Sequence, residues 1–106
     1  MKVMLLMWSD GSYAGGDAEE DYAAWMEYEK TLRDDGVFAG AAQFAETDEV
    51  RATTTAISTP PADPPRPAAG LSGFYLVDVA DADAAEDYAR RAPLYGYVEV
   101  RPIAEY

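Results

Sequence analysis

The chain has 106 residues, no cysteine and no histidine, and its 20 acidic against 8 basic side chains leave a formal net charge of −12. That length predicts one domain over residues 1–106 with a single modest core, and that charge opposes nucleic acid and anionic membrane surfaces, where each phosphate contact wants a Lys or Arg. Disulfides, thiolate catalysis, Cys-based metal sites and every Ser-His or Cys-His arrangement are excluded by composition.

Met1-Lys2-Val3-Met4-Leu5-Leu6-Met7-Trp8 reads as the first strand. Its residues are mostly apolar at both parities, so both faces of the strand are covered and it lies centrally in a sheet. The apolar run from Val3 to Trp8 is shorter than a signal-peptide core and meets Ser9-Asp10-Gly11 without a small-residue cleavage site. Nothing approaches the length of a membrane span, and a soluble cytoplasmic protein is the expectation. The glycine-rich stretch from Ser9 to Gly16 fits neither the P-loop nor the dinucleotide fingerprint, and Asp10 and Asp17 would repel a phosphate. A flexible connection is expected there.

Asp17 reads as an N-cap, with Glu20 completing a capping box, and the helix runs to about Asp35 with Gly36 as its C′ stop. Tyr22, Trp25, Met26 and Leu32 fall at spacings that place them on one buried face. Val37 to Phe44 then enters a second strand region, which Val50 to Ile57 continues. The run Thr53-Thr54-Thr55 suits an edge strand. Between them, Glu46-Thr47-Asp48-Glu49 reads as a solvated turn with fewer oxygen ligands than a Ca²⁺ loop needs. Ser58 to Gly70 carries five of the seven prolines and is expected to form a long loop, mobile or draped over a pocket.

Leu71 to Val79 is apolar at both parities and reads as the second central strand. Asp81 or Asp83 caps a helix with a stripe of Ala85, Tyr88, Ala89 and Ala92, which Pro93 stops. Tyr97-Val98-Glu99-Val100-Arg101-Pro102-Ile103 alternates and reads as the last strand. Val98 and Val100 point toward the helices. Tyr97, Glu99 and Arg101 point the other way, either as a self-satisfied Glu99–Arg101 pair or as a polar patch on a pocket wall.

Strand, helix, strand, strand, helix, strand is the split β-α-β order of the ferredoxin-like fold, an α+β class. Both helices cover one face of such a sheet. The other face carries one parity of Val3–Trp8, and an apolar face of that size predicts a homodimer closing two sheets face to face.

The chain resembles the YCII-related family, including its DGPF branch, of small dimeric α/β-barrel proteins. The resemblance lies in Met1-Lys2-Val3-Met4-Leu5-Leu6, in Asp35-Gly36-Val37, and above all in Leu71 to Asp81 followed by an Ala-rich helix and Val98 to Ile103. It implies the family fold and dimerisation. The Asp-Gly-Pro-Phe motif is missing, and Pro64-Pro65-Arg66-Pro67 occupies its neighbourhood. The first-helix His that some relatives pair with an Asp is absent too, since Ala23, Ala24 and Trp25 stand there.

Two functions fit. One, implied by the resemblance to dimeric α/β barrels, is a cofactor-free cyclase, isomerase or lyase acting on a small aromatic or apolar molecule, in a cleft between sheet and helices. Trp8, Trp25 and Tyr75 would wall that cleft, and Arg101 or Arg51 would hold an anionic group. Proton transfer would fall to Asp10, Glu99 or a tyrosine. Arg101 would lower the pKa of Glu99, which favours Asp10 as the acid–base group. The other function is a non-catalytic dimer that binds a ligand or a partner, in line with the missing His and the extended Pro-Pro-Arg-Pro stretch.

Overall fold

The computed structural model describes residues 1–10, 18–47, 49–58 and 70–105. The expected glycine-rich connection beyond Asp10, the Asp17 cap, Asp48 of the acidic turn and all but the ends of the proline-rich segment lie outside the described residues.

Six elements follow one another: β1 (Lys2–Ser9), α1 (Ala18–Asp34), β2 (Phe38–Gln43), β3 (Leu71–Asp78), α2 (Ala82–Arg90) and β4 (Gly96–Pro102). The sheet order is β2-β3-β1-β4, and every neighbouring pair is antiparallel. This is the ferredoxin-like βαββαβ fold. β1 and β3 take the centre, as their double apolar parity requires.

Parity then assigns the faces of β1. Val3, Leu5 and Met7 are buried against the helices together with Tyr28 and Leu32 of α1, Val77 of β3, Val79 after it, and Ala85 and Ala89 of α2. Met4, Leu6 and Trp8 turn to the opposite face and are only half-buried.

The helices stop for local reasons. Gly36 takes φ 74°, and the N–H groups of Gly36 and Val37 donate to the carbonyls of Arg33 and Leu32 at 3.1 and 3.0 Å. That is the Schellman pattern, which needs a residue without Cβ at C′. Asp81, not Asp83, caps α2, its side chain accepting from the Ala84 N–H at 2.8 Å. Arg90 sits in the last turn of α2 and pairs with Glu86 one turn back.

Two expectations are corrected. In α1 the buried stripe is Trp25, Tyr28 and Leu32, with Tyr22 and Met26 exposed at 68% and 57%. Tyr28 is preferred because its hydroxyl reaches across to donate to the Tyr88 carbonyl at 2.8 Å. The second correction is that Val50–Ile57 forms no strand and ends in a turn, with the Ser58 N–H donating to the Thr55 carbonyl at 3.1 Å. Short threonine and alanine side chains bury too little apolar area on a sheet edge to offset the entropy of ordering the backbone.

Candidate functional site

Cross-strand register builds the uncovered face of the sheet. Residues directly opposite one another share a face, and Leu6 stands opposite Phe74 and Glu99, Met4 opposite Leu76 and Arg101, and Trp8 opposite Tyr97. Phe44, just beyond β2, packs its ring 6.2 Å from that of Phe74. The face is therefore apolar across the middle of β1 and β3, with Lys2 opposite Asp78 at one end and a polar cluster along β4.

Within that cluster, Trp8 and Tyr97 stack with ring centroids 5.9 Å apart and planes 10° from parallel. Trp8 Nε1 donates to Glu99 Oε1 at 3.1 Å, and Arg101 Nε donates to Glu99 Oε2. Both carboxylate oxygens of Glu99 are thereby engaged. The guanidinium, and after it the indole N–H, hold its carboxyl below the usual carboxylate range. Glu99 stays ionised near neutral pH, which suits positioning and charge balance better than proton transfer.

The opposite face holds the second aromatic group. Trp25 stacks on Tyr75 with centroids 6.1 Å apart, while Tyr28 and Phe38 meet Tyr75 edge-on at 5.4 and 6.3 Å. The Arg33 guanidinium lies 4.0 Å over the Phe38 ring. Burial pushes the Tyr28 and Tyr75 hydroxyls above the ordinary phenol range, so both stay protonated at neutral pH. This group fills the space between α1 and β3.

The sequence candidates thus fall into two groups that do not share a cleft. Trp8, Glu99 and Arg101 lie together on the uncovered face. Trp25 and Tyr75 lie under α1, separated from Trp8 by the thickness of the sheet. Asp10 follows β1 directly, beside the Trp8–Tyr97 stack in sequence, and its N–H donates to the Tyr95 carbonyl at 2.8 Å. Arg51 is exposed in the segment that forms no strand and joins neither group.

One residue went unread in the sequence. Asp21 is half-buried one turn ahead of Trp25, and its Oδ2 is buried with no hydrogen-bond partner among the described residues. The only available signal was its i, i+4 spacing to Trp25, which an apolar-stripe search passes over. Two grooves also open on the helix side. The larger, about 450 Å³, runs between α2 and β4 past Ala89, Leu94, Val98 and Val100, with the Glu86–Arg90 pair at its rim. Of the polar cluster along β4 it includes Tyr97 but not Trp8, Glu99 or Arg101. Among the described residues no group of acidic side chains is placed to hold a metal ion, and no helix is long and apolar enough to cross a membrane.

A model of the YCII-related domain matches residues 1–106. The chain belongs to the YCII-related family. No curated protein matches it. Within this YCII-related chain, the Trp25 stretch is given over to aromatic packing against Tyr75. The polar groups that remain available cluster instead on the uncovered sheet face.

Proposed function

We propose that this YCII-related protein is a small cofactor-free enzyme of the cyclase, isomerase or lyase type, working on a small aromatic or apolar molecule. The pocket is the space between the uncovered sheet face and a second copy that closes over it as a dimeric α/β barrel. The observation that carries this reading is the grouping of Trp8, Tyr97, Glu99 and Arg101 at one edge of a face whose middle, Met4, Leu6, Phe74 and Leu76, is apolar. Polar groups on a surface destined for burial cost free energy unless they are paired or meet a ligand. Glu99 is paired on both oxygens. Arg101 spends its Nε on Glu99, and its two terminal nitrogens can receive an anionic group of the ligand.

Proton transfer falls to Asp10 at the mouth of this face. Glu99 is held ionised by Arg101, and the phenols of Tyr28 and Tyr75 titrate too high to exchange protons near pH 7. Trp8 and Trp25 are the two tryptophans, so Trp25→Phe leaves Trp8 as a single fluorescent reporter of the proposed pocket. Aromatic lactones and enol acids can be screened by Trp8 emission and the hits assayed for turnover. Asp10→Asn is expected to lower turnover by about 10²–10⁴-fold with binding retained, the range a general acid–base group supplies. Turnover within a few-fold of the parent would remove Asp10 from the role.

A non-catalytic binding dimer is the second reading. It is favoured by the same pairing of Glu99 with Arg101, which engages the two partners with each other and holds Glu99 ionised. Ligands that shift Trp8 emission without being converted would favour it.

A further inference from the structure

The pairing of β1 with β3 slips once. Leu6 stands opposite Phe74 and Met7 opposite Gly73, but Trp8 then stands opposite Leu71, so Ser72 is the extra residue of a β-bulge. On its other side β3 keeps step with β2 at this point. Gln43 stands opposite Gly73, and the Phe44 N–H donates to the Ser72 carbonyl at 2.8 Å. Ser72 therefore shares the uncovered face with Phe44 and Phe74, and Leu71 lies there too, opposite Trp8. A regular strand would send one of those two successive residues to the helices.

The bulge also fixes what the serine can do. Its hydroxyl donates to the Met7 carbonyl at 3.1 Å, so its one proton is spent and Oγ offers only lone pairs. The residue is already half-buried. Its neighbours on the face by register are Leu6, Leu71, Phe44 and Phe74, whose side chains hold no donor, and the indole N–H of Trp8 is engaged by Glu99. When a second copy closes over this face, the oxygen loses water, and a ligand O–H or N–H placed there gains a hydrogen bond.

We infer that Ser72 is the specificity-determining residue of the proposed pocket, and that its ligand is an aromatic acid with a hydroxyl or amino group at the end remote from the carboxylate. This rests on the pocket reading above and narrows it. The carboxylate meets the terminal nitrogens of Arg101 on β4, and the donor meets Ser72 on β3. These two strands flank β1, so the anchors lie about 10 Å apart across the sheet. A para-substituted ring bridges that span with a hydrogen bond at either end, and Leu6 of β1 lies beneath it. Of lactones and enol acids, the enol acids fit, because a lactone brings acceptors alone.

Calorimetric titration of the full chain with 4-hydroxyphenylacetate and with its methyl ether, 4-methoxyphenylacetate, tests this. The parent should bind the phenol about fivefold more tightly than the ether, the worth of one hydrogen bond. Ser72→Ala should abolish that preference by weakening the phenol alone. Ser72→Thr, which keeps the hydroxyl, should preserve it. If Ser72→Ala weakens both acids equally, the serine is only a latch for the bulge and the inference fails. It fails as well if the parent does not distinguish the two acids. The pocket reading has a separate failure. If Arg101→Gln left the affinity for both acids unchanged, the anion site would be lost, and the role of Ser72 with it.

Discussion

Leu5→Ala is expected to lower the unfolding free energy by about 3 kcal/mol, within the range for emptying a packed leucine site. Leu5 is fully buried in the middle of β1, with Tyr75 on one side and Val100 on the other. It is held between two strands and beneath two helices, so the neighbours cannot collapse into the space it leaves. A domain of this size has only about 5–15 kcal/mol in total, and thermal unfolding should fall by more than about 10 °C. The adjacent residue is the control. Leu6 faces the uncovered side, and Leu6→Ala should cost the isolated fold far less while weakening association. Urea denaturation at several protein concentrations separates the two, because a loss that grows on dilution belongs to the dimer. Equal, concentration-independent losses at both positions would contradict the assignment of faces.

Gly96→Ala should be comparably damaging, for a different reason. A Cβ built at Gly96 would lie 1.9 Å from the Trp8 carbonyl oxygen and 3.0 Å from the Asp10 nitrogen. Both are backbone atoms of the neighbouring strand and its exit, so no side-chain rotation relieves the clash. β4 must move away from β1 at the Ser9–Gly96 pair. The Trp8–Tyr97 stack and the Asp10 N–H bond to Tyr95 go with it. The expected cost is about 3 kcal/mol, at the upper end for forced overpacking, accompanied by a changed Trp8 emission. Gly40→Ala is the matched control, since its Cβ would meet only Leu76 Cβ at 3.9 Å, and it should stay within about 0.5 kcal/mol of the parent. If Gly96→Ala were as harmless as Gly40→Ala, the close approach at the end of β1 would be wrong.

The architecture was readable because β1 and β3 are apolar at both parities, which forces them to the centre, and the helix stops at Gly36 and Pro93 are unambiguous. That same double parity concealed the site. With apolar residues on both sides of β1, no pattern in the sequence says which face Trp8 takes, so aromatic character alone groups it with Trp25 and Tyr75 although the sheet divides them. The Glu99–Arg101 pair was legible from strict alternation along β4. The indole of Trp8 as its third member was not, because it depends on β1–β4 register.

The stripe of α1 was misplaced for a related reason. At 3.6 residues per turn Tyr22, Trp25, Met26 and Leu32 spread over about 120° of the helix, while Asp21, Trp25, Tyr28 and Leu32 keep within about 60°, but the second stripe begins on a carboxylate that an apolar search passes over. The Tyr28 bond to the Tyr88 carbonyl, a tertiary contact, fixes that stripe against α2. Val50–Thr55 has strand composition without strand structure because propensity cannot supply a partner.

The central claim is that the uncovered face of the sheet, with Leu6 at its middle, is closed by a second copy of the chain. Light scattering at micromolar concentration tests it most directly, on the parent and on Leu6→Glu. The parent should scatter at twice the 11.5 kDa chain mass. Leu6→Glu should scatter as a folded monomer, because an unpaired carboxylate is too costly to bury between two sheets. A parent that is monomeric at that concentration, or a Leu6→Glu dimer as tight as the parent's, would contradict the account.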